Sequence, residues 1–204
     1  MLRLSRGGLY VSEKRKPVAH RKVRVDAERN RLRLLETAKA VFAEKGSAAS
    51  LEEIARAAGV GIGTLYRHFP TRDALIESVY RNETEQLMAA ATRLIDERPP
   101  VQALRAWLLL FVDYMAIKHG MSEALSSLVG GTCDLYATSG AQITRAIAML
   151  VDNATVSGDI RLAVEPLDLL RALAGVATIA SGATGTQSAK RLVDILLAGI
   201  STRP

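Results

Sequence analysis

Between Ser50 and Ala74 the chain reads SLEEIARAAGVGIGTLYRHFPTRDA, the pattern of a helix, a glycine turn and a second short helix. Ser50 followed three residues later by Glu53 forms a capping box, in which the hydroxyl accepts from a free first-turn amide and the carboxylate reaches back to the Ser50 amide. Leu51, Ile54, Ala55 and Ala58 then recur at helical spacing as one apolar stripe, with Glu52, Glu53 and Arg56 off it. Gly59 ends this helix, because glycine takes the left-handed backbone conformation without penalty. A second run over residues 61–69 places Leu65 and Phe69 on one face and Thr64, Tyr66, Arg67 and His68 around the rest. Pro70 stops it, and Thr71 with Asp73 caps a third helix.

Two short helices joined by a tight glycine turn are the helix-turn-helix unit, whose second helix fits a major groove about 12 Å wide. Pattern alone leaves an equal alternative, a corner of an ordinary helical bundle. The residue string separates the two. GVGIGTLYRHFPTRDAL, with the upstream AKAVFAEKGSAASLEEIARAAG, closely resembles the recognition-helix signature of the TetR (tetracycline repressor) family of bacterial transcriptional regulators, over residues 35–79.

The resemblance implies an all-α chain. It places a three-helix DNA-binding domain at 25–70 and a connecting helix with a larger ligand-binding and dimerisation domain at 71–204, while the charge of this chain itself sets off a basic arm at residues 1–24. It also implies roles residue by residue. Thr64, Tyr66 and His68 match positions that bind the DNA backbone, as does Arg72 just after the recognition helix. Ser50 offers its hydroxyl and an oriented amide to phosphate. Ile62, Gly63 and Arg67 match positions facing base edges, and Arg67 is the one long donor suited to guanine. Isoleucine at 62 departs from the polar residues common there and reads sequence by apolar contact alone. Gly61 and Gly63 supply almost no side-chain readout. Without the resemblance, Tyr66 and Phe69 read as closing the three-helix core, Phe69 above all, and His68 reads as a capping or core histidine.

Composition agrees with a helical chain: 49% of residues are hydrophobic but only 4% aromatic, and no stretch alternates as paired strands do. A first helix over 26–45 carries Leu34, Leu35, Ala38, Val41 and Phe42 on its apolar face, and Arg29, Arg31 and Arg33 lie near its start. A connecting helix follows over 71–97. Distal helices are expected over 101–118, 122–129, 134–156, 166–181 and 186–200, separated by Pro99-Pro100, Gly120, Gly130-Gly131, Gly158 and Gly182 to Gly185. By resemblance they enclose a small-molecule pocket, with Trp107, Phe111, Tyr114, Met115, His119, Met121, Tyr136 and Met149 as candidate lining. Asp113, His119, Thr132 and Asp134 are candidate polar contacts. The last two helices, rich in Ala, Gly and Leu, form the homodimer interface by the same resemblance.

Other classes find less support. No nucleophile-base set, phosphate loop or metal-ligand spacing is present, so no catalytic residue, metal or cofactor is assigned. His20, His68 and His119 are too widely spaced for a metal site, and the single Cys133 reads as a small core residue. A helical enzyme without a recognisable motif remains an alternative. So does a basic-tailed adaptor for RNA or an anionic membrane surface, though it leaves the Ser50 to Asp73 string unexplained. No secretory signal or uncharged run of membrane-spanning length is evident, which together with the resemblance places the chain in the cytoplasm, on duplex DNA and under control of an unknown small, largely apolar effector bound among residues 101–156.

The formal charge is +6, and almost all of it lies at one end. Arg3, Arg6, Lys14, Arg15, Lys16, Arg21, Lys22 and Arg24 stand against Glu13 alone, leaving a net charge of about −1 for the remainder. This segment has no sustained periodic face, and it is expected to lack stable structure when free. Each phosphate it neutralises adds about −0.9 to the slope of log affinity against log salt. Deleting residues 1–22 is therefore expected to flatten that slope by about two to four units and weaken every duplex, leaving the preferred site unchanged. Affinities across a salt series, with and without the segment, provide the check. An unchanged slope contradicts the expectation, and a loss confined to A·T-flanked sites shows that Arg21, Lys22 and Arg24 read minor-groove shape.

Overall fold

The computed structural model describes residues 18–179 and 183–202, with side chains from residue 26 onward in the first helix. Expectations for residues 1–17 lie outside the described residues. Every regular element among those described is helical. The order is α1 (Val18–Lys45), a 3-10 turn (Gly46–Ala48), α2 (Leu51–Ala57), α3 (Ile62–His68), α4 (Arg72–Glu97), α5 (Pro100–Gly120), α6 (Ser122–Ser126), α7 (Cys133–Val156), α8 (Pro166–Ile179) and α9 (Ala183–Ile200).

Local chemistry accounts for the first turns. Ser50 Oγ accepts from the Glu53 amide at 3.1 Å, starting α2. The reciprocal half of the capping box is replaced: the Glu53 carboxylate pairs with Lys45, tying α2 back to the end of α1. Gly59 sits at φ 67°, with its amide on Arg56 O and the Val60 amide on Ala55 O. Those two bonds close the last turn of α2 in the Schellman pattern. Thr71 Oγ1 accepts from the Ala74 amide at 3.0 Å and starts α4.

Several expected boundaries move. Helix α1 begins at Val18 instead of 26, because the Arg, Lys, Val and Ala content of its added turns is compatible with helix despite its charge. Pro100 opens α5 from the first helical position, where the missing amide costs nothing, so the Pro-Pro pair starts a helix as well as ending one. Gly185 is buried within α9 and is not a separator. Cys133 is exposed at the start of α7 and is not a core residue.

Leu34, Leu35, Ala38 and Phe42 from α1 meet Ile54, Ala55, Leu65 and Phe69, and close a three-helix unit around side chains that are fully buried or nearly so. The core continues without a break through Leu75, Ile76 and Val79 of α4 into Trp107 and Leu108 of α5, Ile147 and Leu150 of α7, Leu173 of α8 and Val193 of α9. Helix α5 is long and apolar enough by composition to cross a membrane, contrary to the sequence expectation. Here it packs against α4, α7, α8 and α9 as the central core helix.

Between the three-helix unit and the distal helices lie specific polar contacts. Lys39 Nζ of α1 bonds Glu83 Oε1 of α4 at 3.1 Å and Glu36 at 2.8 Å. Burial alone would lower the Lys39 pKa, but the two carboxylates outweigh it and hold the ammonium charged. Asp73 Oδ2 accepts from the Val129 amide in the α6–α7 loop at 3.0 Å.

Gly59 offers a clean test of the turn. A Cβ there would meet only Arg33 Nη1, at 4.0 Å, so the cost of a side chain is purely the left-handed backbone. Gly59→Ala is expected to lower stability by roughly 1 to 2 kcal/mol in chemical denaturation, and an unchanged midpoint would contradict this account of the turn.

Candidate nucleic-acid interface

Helix α3 is held by two side chains one turn apart, Leu65 and Phe69, which are 0% and 2% exposed against α1 and α2. Anchoring at i and i+4 turns residues 62, 63, 66 and 67 outward as a continuous strip. Ile62 is 38% and Tyr66 45% exposed, Arg67 is exposed, and Thr64 and His68 flank the strip half-buried. Among the described residues Arg67 has no ion pair or hydrogen-bond partner, so its donors remain available to an external acceptor. The exposed Arg56 on α2 is in the same position, and it was missed because it lies off the resemblance's contact positions.

The backbone of this strip is unobstructed. A Cβ at Gly61 or Gly63 would meet nothing within 4 Å, and neither residue has positive φ. The fold does not itself require these glycines. They leave the first turn of α3 smooth around Ile62, a shape suited to close approach by a groove floor.

Other candidates have internal partners. The Arg72 guanidinium donates to the carbonyls of Ala49, Ser47 and Gly46 and lies 5.1 Å over the Phe42 ring. It fastens the start of α4 to the α1–α2 corner. Arg33 Nη1 donates to Ala58 O at 3.4 Å, and Arg31 rests 5.9 Å over the Phe69 ring. Arg29 and Arg31 also face Asp26 and Glu28 one turn back, which offsets their charge. Ser50 caps α2 and remains exposed.

The candidate effector residues do not converge on one cavity. Trp107 is fully buried and donates its indole N–H to Leu87 O at 2.9 Å, and Met121 is equally enclosed, so both are core. Phe111 stacks between Trp107 and Tyr114, and Met149 is 43% exposed on the outside. Met115 and His119 line a cleft against α8 and α9 with Ala177 and Thr178. Asp113 is paired with Lys190 at 2.6 Å.

A different cleft lies between α4 and α7, with Tyr80, Thr84, Glu85, Asp134, Ser139 and Gln142 among its walls. Its floor is a set of buried hydroxyls: Tyr114 Oη donates to Tyr80 Oη at 2.8 Å, and Tyr80 Oη lies 2.9 Å from Ser139 Oγ. Burial pushes the Tyr80 phenol pKa well up, so the group stays neutral. Tyr136 lies 5.5 Å from the Tyr80 ring and carries the Lys118 ammonium 4.0 Å above its face. Of the expected polar contacts only Asp134 reaches this cleft. Tyr80, Thr84 and Ser139 were missed, although the spacing of Tyr80 and Thr84, hydroxyls one turn apart on the buried stripe of α4, was a readable signal.

Comparison with known proteins agrees with this architecture. Residues 34–79 match the model described as bacterial regulatory proteins, tetR family, and residues 99–202 match the transcriptional regulator SbtR-like C-terminal domain. Over 94 residues the chain is 31% identical to the HTH-type transcriptional regulator UidR of Escherichia coli K12, which is 46% of this chain and 42% of that protein. It is also 31% identical over 94 residues to the HTH-type transcriptional repressor KstR2 of Mycobacterium tuberculosis H37Rv, at 45% and 46% coverage. These matches span less than half the length of either curated relative. Among solved structures, the TetR transcriptional regulator SCO0520 of Streptomyces coelicolor is 45% identical with a TM-score of 0.78, covering 85% of this chain and 99% of that one. The TetR transcription regulatory protein of Mycobacterium vanbaalenii is 31% identical with a TM-score of 0.70, at 88% and 99% coverage. With both halves of the molecule matched and the helix-turn-helix built as described, the chain belongs to the TetR family of transcriptional regulators.

Proposed function

We propose that this protein is a ligand-responsive repressor that acts in the cytoplasm and binds a near-palindromic operator as a homodimer. The observation that carries the reading is the outward strip of α3, an arginine without a partner among the described residues, a tyrosine and an isoleucine on a smooth glycine backbone, rigidly backed by Leu65 and Phe69. Arg67 would take the paired acceptors of a guanine, while Thr64, Tyr66, His68 and the α2 N-terminus at Ser50 would hold phosphates. Association through α8 and α9 is supported by two large aliphatics left in solvent, Ile179 at 86% and Ile195 at 67% exposure. A dyad through that face sets two copies of α3 into major grooves about 34 Å apart. The effector would act from the distal helices, and it can lower DNA affinity only by binding the released conformation better than the bound one.

Selection from random duplexes followed by footprinting tests the whole reading. A dyad-symmetric site with half-sites about one turn apart is expected, and recovery of no such site would sink it. On the selected operator, Arg67→Ala should cost about 1 to 3 kcal/mol and relax preference at one base pair. Tyr66→Phe should weaken all duplexes alike. Equal losses from Arg67→Ala on cognate and scrambled DNA would move Arg67 to the backbone.

Gly63→Ala separates folding from binding. Replacing a first-turn helical glycine where there is room for a methyl should stabilise the free protein, by at most about 0.5 to 1 kcal/mol. The same methyl should weaken operator binding by standing between the helix and the groove. Unchanged operator affinity in the stabilised variant would refute close approach at this position.

A further inference from the structure

We infer that the cleft between α4 and α7 is a binding site for a small organic cation, an amine or amidine with several N–H donors. The inference deepens the proposed ligand control and rests on it only for the consequence on DNA; the site itself follows from hydrogen-bond inventory and charge.

The cleft offers about 200 Å³, so its occupant is small. Its floor is already oriented. Ser139 Oγ lies 3.0 Å from Leu135 O and donates to the backbone of its own helix, which leaves it to accept from the Tyr80 hydroxyl. Tyr80 in turn accepts from Tyr114, and Thr84 Oγ1 donates to Tyr80 O at 3.1 Å. Each of those hydroxyl hydrogens is therefore committed, and what the floor still offers is oxygen lone pairs.

The walls carry the same polarity. Glu85 of α4 and Asp134 of α7 face the cleft from its two sides, and among the described residues neither has an ion pair or hydrogen-bond partner. Two cations lie nearby: Arg81, which lines the cleft and pairs with Glu77 at 3.2 Å, and Lys118, whose ammonium rests on Tyr136. Donors in the lining are Arg81, which gives one of its N–H groups to Glu77, together with Thr138 and Gln142. With a floor that offers acceptors and two carboxylates against the single cation Arg81 in its lining, the cleft favours a ligand with excess N–H groups over a carboxylate or phosphate.

Calorimetric titration of the full chain with two matched series tests this: tyramine, tyrosol and 4-hydroxyphenylacetate, then cadaverine, 1,5-pentanediol and glutarate. Within each series the frame is nearly constant and the charge changes. In at least one series the ammonium compound should bind about tenfold or more tightly than its neutral partner, the ratio that 1.4 kcal/mol of attraction produces, and the carboxylate more weakly still. The exposed pair Glu85→Gln and Asp134→Asn, made together, should abolish that preference. Neutral compounds binding as well as cations, absence of binding by both cations, or a double variant that keeps the preference would each overturn the site. A separate arm measures release from the selected operator. Binding without release leaves the site standing and removes ligand control, whereas release by a compound that does not compete with the cation upholds ligand control and counts against this site.

Discussion

Three consecutive residues at the start of α4 hold the molecule in register. Thr71 caps α4 through the Ala74 amide, Arg72 clasps the carbonyls of the α1–α2 corner, and Asp73 accepts from the Val129 amide of the α6–α7 loop. Arg72 is central to that junction, because its planar guanidinium satisfies carbonyls of the 3-10 turn and its exit while lying on Phe42. Lysine cannot reproduce such a fork. The position of α3 relative to everything distal depends on this clasp, since only the turn at Pro70 and Thr71 separates α3 from α4.

Beyond the junction, successive turns of α4 engage different parts of the protein. Glu83 reaches Lys39 on α1, Tyr80 reaches Ser139 on α7, and the Leu87 carbonyl receives the Trp107 indole of α5. One helix is thus bonded to the helix-turn-helix unit on one side and to the distal helices on the other. A ligand that favours a different spacing of α4 and α7 acts on the same rod that ends at the recognition helix. The coupling it can exert is bounded by its differential affinity for the two spacings.

What could be seen in the sequence was what has a local cause. Ser50, Gly59, Pro70 and Thr71 act on backbone within four residues of themselves, and the helix-turn-helix they delimit forms where expected. Features that depend on distant partners were not legible. Arg72 lies 23 to 26 residues from the carbonyls it binds, and its charge beside a recognition helix suggests a phosphate contact until those carbonyls come into view. Glu53 has the spacing of a capping box, yet Lys45, brought close by the turn between α1 and α2, competes for its carboxylate. Tyr80 and Ser139 are 59 residues apart, so their hydroxyl cluster had no signature, whereas Trp107 and Met121 looked like pocket walls because bulk alone does not distinguish wall from core. The start of α1 was misplaced for another reason: dense positive charge was read as disorder over residues whose helix propensity is adequate.

The role of Arg72 is the point at which this account is most exposed. Arg72→Met keeps length and apolar contact with Phe42 but leaves the carbonyls of Ala49 and Ser47 without their donor. Chemical denaturation and operator binding across a salt series should be measured together on this variant. The account predicts a stability loss of roughly 1 to 3 kcal/mol with the salt slope unchanged, because the guanidinium serves the fold and neutralises no phosphate. Unchanged stability with a slope flattened by about one unit would contradict it, and would return Arg72 to the DNA backbone.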